Sequence, residues 1–217
     1  MDAFDTALRL LDWIGIAVFA ASGALVASRK QMDAVGFILI AVVTGFGGGT
    51  LRDLLLGRTP VFWLRAPELL AIAATAALLV FFTAHLLESR FRALLWADAV
   101  GLALYGVVGA EIALIAGADP WAAVVLGTVT ATGGGIIRDV ICNELPLILR
   151  REIYITAAAA GAAAYVALRL APLQRDVAVP AGILLGFAIR AAAIRFGWSL
   201  PSYKARPARD YPDERPQ

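Results

Sequence analysis

The chain carries one cysteine and one histidine, and charged residues make up only 17% of its 217 positions. A lone cysteine, Cys142, excludes an intrachain disulfide and reads as a small apolar packing residue. A lone histidine, His85, has no second imidazole and no nearby cysteine to join it, which excludes the usual transition-metal sites; it is expected to reach toward the membrane interface. No nucleophile motif accompanies it either, so neither an enzyme nor a metal centre is expected. Lysine occurs only at Lys30 and Lys204. Polar stretches long enough to fold as a separate soluble domain are lacking, and no nucleic-acid partner is expected.

What the chain has in quantity is apolar side chain, 60% of residues, with a mean hydropathy of +0.77. A soluble domain of this size cannot hide so much, whereas lipid can hold it. Seven apolar runs are each close to the roughly 20 residues needed to cross a bilayer. They cover residues 11–28, 34–56, 66–87, 94–116, 120–142, 153–171 and 179–195. The expectation is an all-α integral membrane protein with seven transmembrane helices in one domain, residues 1–200, followed by a flexible, solvated tail at 201–217. Small residues after the first run resemble a signal-peptide cleavage site, but Asp2, Asp5, Arg9 and Asp12 make the preceding region acidic, so this run is kept as a helix.

Loop charges set the orientation. Arg29, Lys30, Arg90, Arg92, Arg150, Arg151, Arg195, Lys204, Arg206, Arg209 and Arg215 fall on one face, against Arg9, Arg58, Arg65, Arg169 and Arg175 on the other. The positive-inside rule makes the first face cytoplasmic, with the N-terminus outside and the C-terminus inside.

The chain also repeats itself. A shift of 86 positions carries Asp12 onto Asp98, Gly15 onto Gly101, Gly23-Ala24 onto Gly109-Ala110 and Val43-Thr44 onto Val129-Thr130. It also carries Gly47-Gly48-Gly49 onto Gly133-Gly134-Gly135, Arg52-Asp53 onto Arg138-Asp139, Pro60 onto Pro146 and Arg65 onto Arg151. Aligned Gly, Arg, Asp and Pro are not what chance similarity between Leu- and Ala-rich helices produces. Repeat one covers about 11–87, repeat two about 94–171, and the seventh helix, about 179–198, stands outside both. An odd number of helices per unit makes the topology inverted, and proteins of that design place their permeant site near the midplane on discontinuous helices.

Three consecutive glycines cost a helix about 1 kcal/mol each relative to alanine. They are therefore expected to kink or unwind the second and fifth spans and to free backbone groups beside a polar cavity. The alternative is close helix packing, which small residues permit. The Arg-Asp pairs that follow admit two readings as well. As clamps, Arg52 pairs with Asp139 and Arg138 with Asp53, or each arginine pairs within its own unit. As pore-lining groups, the arginines limit an aqueous path and the aspartates attract cations. Glu111 is the most conspicuous intramembrane carboxylate. Thr44, Thr130, Thr132, Ser22 and Tyr105 offer neutral oxygens, each more suited to bonding a neighbouring helix than an ion. Phosphate-loop and dinucleotide fingerprints fail, because neither glycine run is followed by the required residues or set in a βαβ unit.

Two three-helix units, each with Gly-Gly-Gly-x-x-Arg-Asp in its second helix, and a seventh helix resemble the trimeric intracellular cation channel family in its prokaryotic branch, over residues 11–195. The resemblance implies a homotrimer in the inner membrane, each protomer carrying its own hourglass pore around kinked second and fifth helices, with potassium the main permeant ion and sodium a second. No cofactor is implied beyond the permeant ions and a possible bound lipid. Carried over are Gly47, Gly48, Gly49, Arg52, Asp53, Gly133, Gly134, Gly135, Arg138 and Asp139. The lysines tied to regulation in animal members have no counterpart within the spans here. Gly182, Gly186 and Arg190 share one face of the seventh helix and are expected to support close contacts in the trimer. A secondary transporter of a small solute, with the same inverted-repeat architecture, is the competing expectation; a structural subunit without a permeation path is a third.

Overall fold

The computed structural model describes residues 3–87, 89–171 and 174–201, with side chains from residue 9 onward. Every regular element among them is helical. In chain order these are α1 (Ala3–Arg29), α2 (Ala34–Leu55), a short α3 (Phe62–Arg65), α4 (Glu68–Thr83), α5 (Arg90–Ile115), α6 (Pro120–Ile141), α7 (Ile155–Leu170) and α8 (Arg175–Phe196). Six helical segments are long and apolar enough to cross a membrane, among them residues 68–86, where a 3₁₀ turn extends α4. The sixth expected span, α7, has only 16 residues, about 24 Å of helix, short of the roughly 30 Å hydrocarbon core. The tail expected at 201–217 lies outside the described residues from 202 onward.

Local chemistry fixes the ends of the helices, and it does so with the same 86-residue shift. Asp33 caps α2, its Oδ1 accepting from the Gly36 N–H at 2.8 Å, while Asp119 precedes α6 with Pro120 at its first position. α1 and α5 each end at a left-handed residue, Gln31 (φ 55°) and Gly117 (φ 85°). The following N–H groups, of Met32 and Ala118, return to the carbonyls of Ala27 and Ala113. α2 and α6 do likewise at Gly57 (φ 64°) and Asn143 (φ 50°), with Arg58 and Glu144 donating to the Asp53 and Asp139 carbonyls at 2.8 Å each.

Packing follows the same division. α1, α2 and α4 form one bundle, α5, α6 and α7 a second, joined by contacts of α1 with α5 and of α2 with α6. α8 lies against α5 and α7. Leu39, Leu54, Phe82, Trp121, Val125 and Leu184 point outward and are more than half exposed, the polarity expected of a surface solvated by lipid.

Two expectations need correction here. The helices do not unwind at the glycine triplets: α2 and α6 run as continuous α-helix through both. Gly182 and Gly186 of α8, expected at a trimer contact, pack inside the protomer against Gly161 of α7. The reason is geometric, since a methyl on Gly161 would lie 2.9 Å from the Gly182 carbonyl and 3.1 Å from the Gly186 Cα.

Candidate functional site at the crossing of α2 and α6

The glycine triplets are where α2 and α6 cross. A methyl group on Gly48 would overlap the Thr130 carbonyl, and one on Gly134 would overlap the Thr44 carbonyl. Gly47 and Gly133 face Gly134 and Gly48 across the same contact, so added methyls would sit 3.1 and 3.2 Å from the opposing Cα atoms. The triplets thus serve close backbone approach between the repeats, the second of the two readings the sequence allowed. The continuous backbone keeps its helical hydrogen bonds. Thr44 and Thr130 donate to carbonyls one turn back in their own helices, Ile40 and Leu126, at 2.6 Å, a bond that competes with inter-helix contact.

One turn beyond the crossing come the two Arg-Asp pairs, all four residues buried. Each arginine pairs within its own unit. Arg52 donates from Nε and Nη2 to Asp53 Oδ1 at 3.0 and 2.9 Å, and Arg138 donates from Nε to Asp139 Oδ1 at 2.8 Å. The cross-repeat pairs Arg52–Asp139 and Arg138–Asp53 are not among the described contacts. The second carboxylate oxygen of each aspartate pins the chain that follows its helix: Asp53 Oδ2 accepts from the Phe62 N–H at 2.8 Å, and Asp139 Oδ2 from the Leu147 N–H at 3.1 Å.

Beyond these shared features the two ends diverge. Arg138 has no exposed surface and also donates from Nη1 to Asp98 Oδ1 (2.7 Å) and Ser22 Oγ (2.8 Å), while Nη2 reaches Asp98 Oδ2 at 3.3 Å. Tyr154 adds an O–H bond to Asp98 Oδ2 at 3.1 Å. Ser22 comes from α1, Asp98 from α5 and Arg138 from α6, so one guanidinium ties three helices together. At the other end Asp12 occupies the position equivalent to Asp98. Its carboxylate accepts from the Tyr105 hydroxyl at 3.1 Å, while Arg52 lies over the Phe62 ring, 5.6 Å from its centroid. Between them is a largely enclosed cavity of about 70 Å³, lined by Asp12, Gly45, Gly49, Arg52, Arg58, Phe62, Tyr105, Ile112 and Thr130. That is room for about two waters, with Asp12, Arg52, Arg58 and Tyr105 as polar partners.

Sequence reasoning did not single out Asp12, Asp98 or Tyr154 as site residues. The signal for the first two was present, since Asp12 and Asp98 coincide in the repeat register; Tyr154 has no such counterpart. Glu111 is not brought to the crossing. It faces away, toward α7 and α8, where the Tyr165 hydroxyl donates to Oε2 and Arg175 pairs with Oε1.

Where the chain leaves α6, Glu144 gathers three cations: Lys30 at 3.2 Å, Arg29 at 3.3 Å and Arg150 at 3.7 Å. Arg29 and Arg150 each also lie 5.2 Å from the centroid of Phe91. Partial burial raises the Glu144 carboxyl, but the Lys30 hydrogen bond and the charges of Arg29, Lys30 and Arg150 outweigh it, leaving Glu144 below its ordinary value. Cys142 is buried beside it.

Comparison with known proteins decides the family. One family model, described as "Glycine transporter", matches residues 9–85 and again 95–169, two stretches whose starts are 86 positions apart. The inner membrane protein YadS of Escherichia coli K12, described as a UPF0126 protein, is 42% identical over 201 residues, covering 89% of this chain and 94% of its own. A UPF0126 membrane protein of Vibrio cholerae is 41% identical over 208 residues, covering 93% and 85%. Among solved structures, the trimeric intracellular cation channel orthologue from Rhodobacter sphaeroides is 54% identical, with a TM-score of 0.87 over 89% of this chain and 100% of that one. The chain belongs to the trimeric intracellular cation channel family. As a member it is a multi-pass membrane protein, and the crossing of α2 and α6 is the feature its two halves share. A second solved relative, described in connection with conductance through these cation channels, is 36% identical with a TM-score of 0.84 over 94% of this chain and 99% of that one.

Proposed function

We propose that the protein is a monovalent cation channel, potassium-preferring, with one pore per protomer of a homotrimer in the inner membrane of a prokaryote. Seven spans in two inverted three-helix repeats place the Arg52 end toward the outside and the Arg138 end toward the cytoplasm, following the loop charges. The path runs beside the crossing of α2 and α6. Its permeants are potassium and sodium ions, its surroundings lipid, and it uses no cofactor.

The observation that carries this reading is the polar cavity at Asp12 and Arg52, which reaches inward to Gly45, Gly49 and Thr130 at the crossing. Buried ionisable groups are costly in a bilayer, and a water-filled path is one of the few settings that holds them. The Asp12 carboxylate attracts cations, and Arg52 and Arg58 limit their number. On the far side Arg138, clasped by Asp98, Asp139 and Ser22, closes the same path. The conformation therefore has an enclosed cavity at one end and a locked guanidinium at the other, and conduction requires Arg138 to leave Asp98.

A second reading, a carrier for glycine or a similar small solute, draws on the family model's description and on the repeat plan that alternating-access proteins share. Proteoliposomes separate the two. A channel gives rapid rubidium or potassium flux set by the electrochemical gradient and no uptake of labelled glycine. Saturable glycine uptake without passive potassium flux would reverse the assignment.

A further inference from the structure

We infer that Arg190, on the helix outside both repeats, is a positioning residue for the Arg138 lock, holding it through Tyr154; this rests on the channel reading above. Arg190 is among the largest fully buried side chains, 1% exposed in the C-terminal half of α8. Among the described residues, its hydrogen bonds and ring contact fall on three consecutive residues just before α7. Nη2 donates to Glu152 Oε2 at 2.6 Å, Nη1 donates to the Ile153 carbonyl at 3.1 Å, and the guanidinium lies over the Tyr154 ring, 5.3 Å from its centroid. Tyr154, 1% exposed, spends its hydroxyl on Asp98 Oδ2. The chain of contacts thus runs from α8 through residues 152–154 to Asp98 and on to Arg138.

Among the described residues the first repeat shows no such brace. Its residues equivalent to Glu152, Ile153 and Tyr154 are Ala66, Pro67 and Glu68, and Glu68 is exposed. Asp12, the counterpart of Asp98, takes its tyrosine from α5 instead. Two halves built on one pattern therefore differ where α8 adds a charge, and the end that α8 braces is the one that is locked. Arg190 sets the order of the segment that carries Tyr154, and with it the geometry in which Asp98 receives Arg138. Removing it loosens Tyr154 and biases the lock toward release.

Planar-bilayer recordings of the purified full-length protein test this with R190Q, R190K, Y154F and the R190Q/Y154F double variant, and with D98N to break the lock directly. R190Q is expected to raise open probability about fivefold, as is Y154F, with the double variant no higher than the larger single effect, since residues in one network are not additive. R190K restores part of the wild-type closure. A purely structural role would lower thermal stability and leave open probability unchanged. An assembled R190Q that gates like the wild type overturns the inference, as do additive effects in the double variant. If R190Q does not assemble, E152Q, which leaves the arginine in place, is read against Y154F by the same non-additivity. Gating altered by D98N and untouched by R190Q removes this inference alone; no cation current from the wild type or D98N removes the channel reading and the inference with it.

Discussion

Glycine is the residue on which this protein turns, and its positions are not equivalent. At Gly48 an added methyl would overlap the Thr130 carbonyl of the facing helix, whereas at Gly45 it would sit 3.6 Å from the nearest atom, in ordinary contact. Gly48→Ala should therefore destabilise the protein by about 1–3 kcal/mol, the range for overpacking a close contact, and Gly45→Ala should be near neutral; thermal unfolding in detergent measures both. Glu144 offers a pH test. Its folded-state carboxyl titrates below the ordinary 4.5, so the stability it contributes is complete above that value and is lost as pH falls through the lowered one. Glu144→Gln should lower stability near neutral pH, where that contribution is complete, and flatten the profile over the acidic window. Sequence alone exposed the glycines but not their use: a triplet reads equally as a weak point or a contact, and only the facing carbonyls of Thr44 and Thr130 tell them apart.

At the scale of the helices, the pattern of apolar runs located every long helix to within a few residues at most ends but missed the short α3, because lipid-spanning helices advertise themselves by length and composition. Three features escaped it. α1 begins ahead of its apolar run and α8 starts at Arg175, since charged turns at helix ends cost little outside hydrocarbon. The glycine-bearing helices stay intact, and at Gly48 and Gly134 the freed surface is filled by the facing backbone. The role of α8 was misread because Gly182 and Gly186 suit a contact within the protomer as well as one between protomers. α6 is held at Arg138 by Ser22 on α1 and Asp98 on α5, and removing one member of a buried charge pair costs roughly 3–5 kcal/mol. Asp98→Asn should accordingly weaken the attachment of α6 to α5, and amide exchange of residues 134–141 should quicken relative to the same stretch of α2, residues 48–55.

The whole molecule combines a symmetric plan with an asymmetric state. Helix caps, left-handed termini and Arg-Asp pairs recur at one fixed shift; the repeat and its Arg-Asp pairs were legible from aligned Gly, Arg, Asp and Pro, whereas the caps and left-handed termini were not. The asymmetry was not, because it depends on which aspartate an arginine chooses and on a helix that the repeat does not contain. Conduction through each protomer is the claim on which the rest depends. Purified protein in a planar bilayer under a potassium chloride gradient should show discrete openings that reverse near the potassium equilibrium potential. Saturable solute flux with no unitary current, or a reversal near the chloride potential, would contradict it.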